Sequence, residues 1–432
     1  MTLAELTECC GGEVRTGPFG SQLHKADYVE DKNATPVVMP KDMIDGRIDV
    51  ASIALIDDEA RDRLSQHVLS AGDIVLARRG DIGRRAWVGD AESGWVCGTG
   101  SMRISLRSCP RIRARYLYYY LATDAAVGWL EGHSVGATMS NLSAGVVEQL
   151  PVEFPDVADQ DVIVGVLDSI TRLIENNLRR IEILEEMARL IYREWFVHFR
   201  FPSHEDVELV NSDLGQIPEG WRYLPLGELS EVVKGLSYKG AHLGDEGVPM
   251  ANLKCMAPGG GFRREGVKPY DGPFKDRHAV EAGDVVIANT DLTQAGNVIG
   301  SAAQLPSAVF GSGGLLSHHL FRVRLKDGAS TGPDYLLSAL QDDPFREWAR
   351  GCASGTTVLG LRREDAERFP VLVPGQELVR RFEETVHPLR QLTAVLEDQC
   401  EVLAEARDLL LPRLISGELD VSDLDLDLEP VA

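Results

Sequence analysis

At 432 residues the chain exceeds the roughly 100–200 residues of one ordinary domain, so two or more cores are expected. Its hydrophobic fraction of 44% and charged fraction of 26% are those of a soluble globular protein, and no run approaches the ~18 apolar residues of a membrane span. A net charge of −23 sits badly with nucleic-acid binding, whose affinity comes largely from Lys and Arg displacing counterions, unless positive charge is concentrated locally.

In chain order, the first segment, Met1-Thr-Leu-Ala-Glu-Leu-Thr-Glu8, is acidic where a secretory signal is basic and then apolar, so a cytoplasmic protein with no membrane partner is expected. Glu30-Asp31-Lys32 is the one Glu-x-Lys of the kind metal-dependent nucleases use, but no strand pattern supports it and it reads as a solvated loop. From Arg61 to Arg115 there are eleven arginines against five acids, a local excess of six positive charges. Ala71-Gly-Asp-Ile-Val-Leu-Ala77 reads as a turn followed by a buried strand, and Met102-Arg-Ile-Ser-Leu106 as another. A short helix is expected over 114–123. Apolar residues at 163, 167, 170, 174, 178, 181, 184, 188 and 191 then mark a long helix between Pro155 and Pro202.

The second half repeats this plan. Ala282-Gly-Asp-Val-Val-Ile-Ala288 repeats 71–77 at an offset of 211, while Gly136-Ala-Thr138 returns as Gly355-Thr-Thr357 and Leu150-Pro-Val152 as Phe369-Pro-Val371, both at 219. Leu3-Ala-Glu-Leu6 resembles Leu226-Gly-Glu-Leu229. A short helix is expected over 333–340, and a second long one from 376, with apolar steps from Leu378 to Leu410, one gap at Gln399 and an end at Pro412. A period of half the chain indicates a tandem duplication. The fold expected is α+β: two mixed α/β domains, each followed by a long helix, with the two helices packed side by side as a spacer. The boundaries are 1–155 and 201–375 for the domains, 156–200 and 376–419 for the helices, and an acidic, disordered tail over 420–432.

Catalytic signals are missing. No Gly-Lys dipeptide is present, hence no phosphate-cradling P-loop; Asn-Pro-Pro-aromatic, Gly-x-Gly-x-x-Gly and His-Glu-x-x-His are also missing. The adjacent His318 and His319 read as structural. Seven scattered cysteines without a Cys-x-x-Cys pair read as free thiols. A non-catalytic chain without bound cofactor or metal is expected.

Several stretches resemble the specificity subunits of type I restriction-modification systems. Thr16-Gly-Pro-Phe-Gly-Ser-Gln-Leu23 is similar to the opening of a target recognition domain, 72–83 to its central strand and turn, and His133–Leu142 with Leu150-Pro151 to its closing segment. Ile217-Pro-Glu-Gly-Trp-Arg222 with Pro225–Leu229 resembles the start of a second such domain, and Leu411-Pro-Arg-Leu-Ile-Ser-Gly-Glu-Leu419 the family's ending. The resemblance implies that each domain reads one half of a bipartite double-stranded DNA target and that the helices pack antiparallel to set the gap. It also implies two methyltransferase subunits bringing S-adenosylmethionine and restriction subunits bringing ATP, Mg and nuclease chemistry. The alternative is a scaffold that binds methyltransferases without reading bases. Candidate DNA-binding residues are Arg78, Arg79, Arg84 and Arg85 in a basic turn, with Arg103 beside them. In the second half they are Lys254, Arg263, Arg264 and Lys268 on a Gly-rich loop, and Asn289 and Thr290, which align with Arg78 and Arg79.

Overall fold

The repeated Ala-Gly-Asp sequence folds the same way twice. Gly72 and Gly283 both take φ of 88°, a left-handed turn that suits glycine. The following aspartate closes each turn by accepting a backbone N–H three residues back: Ser70 to Asp73 Oδ2 at 2.8 Å, Glu281 to Asp284 Oδ2 at 2.9 Å. The strands these turns launch, Ile74–Ala77 and Val285–Ala288, are buried at every position, which is why they read as unbroken apolar runs. The structure, a computed structural model, describes residues 1–107, 109–134 and 141–421. Gly136-Ala-Thr138 and the acidic tail from 422 lie outside them.

The chain divides into two compact units, Met1–Ile174 with Val402–Ala432, and Glu175–Glu401. Each holds a four-stranded antiparallel sheet of the same order. In the first unit this is Glu13–Thr16, Ser101–Ser105, Ile74–Ala77, Arg85–Trp87; in the second it is Ser230–Lys234, Leu320–Leu325, Val285–Ala288, Ala302–Gln304. Each unit also has a second four-stranded sheet with one parallel pair, Thr35–Val38 with Val96–Cys97 and Leu243–Ala251 with Gly314–Leu316. The short helices form at Ala114–Tyr120 and Pro333–Gln341, and bury Tyr116 and Tyr335 at equivalent positions.

The duplication extends to charges inside the sheets. Arg103 and Arg322 lie 219 residues apart on matching strands. Arg103 donates to the Val68 carbonyl and to Glu13; Arg322 donates to the Ala279 carbonyl at 2.6 Å and to Glu231 at 3.2 Å. Both guanidiniums therefore lock the first strand of the sheet to the segment before the Ala-Gly-Asp turn.

A second pair is repeated with the carboxylate moved to the other helix. In the first unit Arg115 Nε donates to Asp168 Oδ1 at 2.7 Å; the same two positions in the second unit are Asp334 and His387, whose Nδ1 lies 2.9 Å from Asp334 Oδ2. Each pair fastens a short helix to a long one.

The long helices run Val157–Tyr192, continued by one wider turn to Val197, and Gln376–Ile415. Leu167, Ile174, Ile181 and Ala188, spaced by seven, are all buried, as an apolar seam requires. Within the second unit, Ala188, Tyr192 and Phe196 pack with Val379, Phe382 and Val386, while Asn177 Nδ2 donates to Gln399 Oε1 at 3.3 Å. The helices are thus antiparallel there, and Gln399 fills the gap in its apolar series as a polar rung. In the first unit Ile163, Val164 and Leu167 share a core with Leu410, Leu411 and Leu414, again antiparallel. Pro412, expected to end the second helix, lies inside its last turn. A proline there removes one amide donor, and burial of Leu414 keeps the turn helical. Among the described residues no helix is long and apolar enough to cross a membrane.

The cysteines are not all free thiols. Cys10 and Cys109 form a disulfide, and the Cys9 sulfur lies within 4.8 Å of both. Spacing could not show this, because the partners are 99 residues apart and meet only through packing of the first helix, Leu3–Cys9, on the unit 1 core. Alkylation without reductant is expected to modify Cys9 and spare Cys10 and Cys109, all three reacting after reduction. Equal labelling of the three at the outset would contradict the pairing.

Candidate nucleic-acid interface

In each unit one end of the first sheet gathers the conspicuous sequence motifs. In the first unit the strands Glu13–Thr16 and Ile74–Ala77 stop there and Ser101–Ser105 begins. Gly17 donates its N–H to Ser101 O at 2.9 Å, and a Cβ on Gly17 would meet Gly98 O at 2.0 Å, so the backbones approach as closely as glycine allows. The Arg78 N–H donates to Gly100 O, and the Arg78 carbonyl accepts from Leu142, both at 2.9 Å. Segments 17–23, 78–85 and 141–142 are thereby brought to one face.

The second unit builds the same frame. Asn289 N–H donates to His319 O at 3.0 Å, and the Asn289 carbonyl accepts from Leu361 at 2.8 Å. Gly235 matches Gly17: a Cβ on it would meet Ser317 O at 2.3 Å. Identical backbone hydrogen bonds therefore carry Arg78 and Arg79 in one unit, Asn289 and Thr290 in the other.

The side chains divide into those spent within the fold and those left available. Arg78 is buried, donates to Asn141 Oδ1 at 3.2 Å and has no carboxylate partner among the described residues; burial and the neighbouring Arg79 push the pKa of its guanidinium below the ordinary value. Its Nε finds no hydrogen-bond acceptor among the described residues. Arg79 is exposed and makes no ion pair among the described residues. Arg84 is exposed and paired with Asp81 at 3.1 Å. Arg85 turns inward, donating to the Tyr118 carbonyl at 3.2 Å with its guanidinium 5.1 Å from the Tyr118 ring; burial lowers its pKa. Arg103 lies in the sheet, bound to Glu13 and Val68, with Asp73 3.8 Å away. Arg85 and Arg103 thus leave the basic turn, because the packing of the sheet claims both.

In the second unit Arg264 is held by Asp398 at 2.5 Å, Glu401 at 2.6 Å and Glu397 at 3.4 Å, three carboxylates on the C-terminal helix. It fastens its loop to that helix and does not point to the sheet end. Lys254, Arg263 and Lys268 are exposed, with no ion pair among the described residues, and share Arg264's segment. Asn289 and Thr290 are buried: Asn289 Nδ2 donates to His318 O at 3.1 Å, Thr290 Oγ1 to Asn289 Oδ1 at 2.8 Å, and the Thr290-Asp291 strand pairs with Leu359-Gly360. They are the floor of the second face, and its exposed side chains come from the loop that follows. His318 and His319 have rings 3.9 Å apart, and burial lowers the pKa of both. Phe19 and Asn141 join the first face through tertiary placement alone.

Comparison with known proteins places this geometry. A family described as "Type I restriction modification DNA specificity domain" matches residues 27–186. The MjaIX type I specificity subunit of Methanocaldococcus jannaschii is 24% identical, over 96% of this chain and 92% of its own length. The HindI specificity subunit of Haemophilus influenzae is 22% identical over 82% and 88%. In fold, the S subunit of a type I restriction-modification system from M. genitalium superposes with a TM-score of 0.56 at 15% identity, covering 96% of this chain and 95% of that one. Residues 27–186 thus match a type I specificity domain, and over nearly its whole length the chain is similar to type I restriction-modification specificity subunits.

Proposed function

We propose that the chain reads DNA for a type I restriction-modification complex, the sheet-end face of each unit recognising one half of a bipartite target. One observation carries this: two backbone frames with matching hydrogen bonds display different side chains, as a reader of two unlike half-sites requires. The paired helices fix the gap and dock methyltransferase subunits. Ile183, Met187 and Leu190, spaced by four and three and all exposed, give the central helix an apolar outer stripe for such a partner. S-adenosylmethionine, ATP, Mg and the bond-making and bond-breaking steps belong to the partner subunits, and this chain acts without catalysis of its own.

Most of the basic stretch is neutralised internally. Arg61, Arg63, Arg84, Arg103, Arg113 and Arg115, six of the eleven arginines, each have a carboxylate within ion-pair distance. The isolated chain is therefore expected to bind DNA weakly with a shallow salt dependence, which steepens in complex with the methyltransferase subunits. Tight, steeply salt-sensitive binding by the isolated chain would contradict this. Within the complex, Arg79→Ala is expected to weaken binding to all sequences alike and reduce the salt slope by about 1, as loss of one phosphate contact does. A change confined to one base position would instead make Arg79 a base reader. A scaffold without base readout would co-purify with methyltransferases and show no preference among sequences.

A further inference from the structure

We infer that Phe19 in the first unit and Leu292 in the second are base-contacting residues, each an apolar probe for one half of the target. The inference rests on the DNA-reading role proposed above, and names side chains that neither charge nor hydrogen-bonding capacity would select.

Phe19 is 58% exposed and Leu292 64%, among the most exposed large apolar side chains of the described residues. Both follow strands that end at the candidate face. Neither is exposed because its loop is slack. The Phe19 carbonyl accepts from Gln22 N–H at 2.8 Å and Leu23 N–H at 3.2 Å, Gln22 Oε1 accepts the Phe19 N–H at 3.0 Å, and buried Leu23 anchors the turn. Leu292 sits on a loop held by Asp291, which is 2% exposed. Asp291 Oδ1 accepts from Thr293 N–H and hydroxyl, both at 2.8 Å, and Oδ2 from Val298 N–H at 2.7 Å. Two rigid turns thus hold an apolar side chain in water, which is unfavourable in the free protein and loses little conformational entropy on binding.

The surroundings identify what covers them. The Arg78 guanidinium lies 5.9 Å from the Phe19 ring centroid, so a cation backs a ring that is otherwise largely exposed. Arg79, next in the chain to Arg78, is exposed, and Asp81, the one acid of this turn, is occupied by Arg84. A lone apolar group set among arginines does not match an apolar protein surface, which would need a continuous patch like the stripe on the central helix. It matches a polyanion with apolar base faces and thymine methyl groups inside its phosphate backbone. Around Leu292 the exposed neighbours are uncharged, Thr293 and Gln294, whose Nε2 donates to the Thr356 carbonyl at 2.9 Å, while the Asp291 carboxylate is buried within the turn. The two probes differ in shape and setting, as two unlike half-sites demand. Arg78 is a positioning residue for Phe19.

The test uses the full chain assembled with its methyltransferase subunits and a library of duplex DNA with randomised sequence, from which bound molecules are recovered and sequenced. Wild type yields a bipartite motif. Phe19→Ala is expected to lower selectivity in one half of the motif about tenfold, leaving the other half intact; Leu292→Ala does the converse, and Phe19→Tyr retains the wild-type motif. Both residues are exposed, so the alanine variants keep the wild-type melting temperature. Wild-type selectivity in both halves with Phe19→Ala and Leu292→Ala would overturn the inference, as would equal loss in both halves from each variant. A wild-type complex that selects no motif would overturn the DNA-reading role itself, and this inference with it.

Discussion

Replacing Arg103 with alanine is expected to destabilise the first unit by about 3 kcal/mol, near the lower end of the cost of breaking a buried ion pair. The side chain is 10% exposed and bridges Glu13 on the edge strand to the Val68 carbonyl, with Asp73 3.8 Å from Nε. Removing it strands Asp73, which is buried and among the described residues keeps only the Ser105 hydroxyl and the Ser70 amide as partners of its side chain. Glu13 is more exposed and partly screened, which keeps the cost toward the lower figure. For a unit of this size the melting temperature should fall by roughly 6–12 °C. Arg322→Ala should cost less in the second unit, because its partner Glu231 is 63% exposed and buried Asp284 keeps Arg324 at 2.7 Å. The pH dependence follows from Glu13: burial opposes ionisation, but the hydrogen bonds and charges of Arg15 and Arg103 outweigh it and hold the carboxyl below its usual value. A depressed carboxylate stabilises fully above its unfolded pKa and loses that contribution as pH falls through the folded one. The difference between wild type and Arg103→Ala should therefore narrow under acid titration, below the ordinary carboxylate range. A melting temperature unchanged at neutral pH, with DNA binding lost, would instead make Arg103 a DNA contact.

Arg115→Ala is expected to cost about 3–4 kcal/mol, since it breaks a second largely buried pair. Arg115 lies 2.7 Å from Asp168, which also accepts from the Tyr119 hydroxyl, and its guanidinium is 4.7 Å from the Tyr118 ring and 4.8 Å from the Trp87 ring. Asp168 is on the central helix, so the pair holds the short helix Ala114–Tyr120 in place. A double-mutant cycle with Asp168→Ala should show a coupling of about 1–3 kcal/mol. Additive losses would mean that the two side chains act separately. The second unit solves the same packing problem with the carboxylate on the short helix and a histidine on the long one. The interaction is thus retained while its residues are exchanged.

The repeat and the helices were legible because they depend on local pattern. Ala71–Ala77 and Ala282–Ala288 encode a turn and a buried strand in seven residues, and the three-to-four spacing of apolar residues fixes both long helices. The candidate site was legible in its backbone and much less so in its side chains. A count of arginines treats Arg79 on the surface and Arg103 in a sheet alike; only the position of Glu13, ninety residues earlier, separates them. Asn289 and Thr290 looked like exposed polar contacts because the Leu359-Gly360 strand that covers them comes some seventy residues later. Arg264 looked like part of a DNA-facing loop because its three carboxylates lie more than 130 residues away. Phe19 belongs to no helical or strand period, so its significance emerges only once its exposure and the Arg78 beneath it are seen. The disulfide between Cys10 and Cys109 escaped for the same reason.

The most direct measurement maps methylated bases across the host genome with and without this gene. Loss of a single bipartite motif, with all other methylation unchanged, is the result expected of a two-unit DNA reader. An identical methylome in the two strains would contradict it.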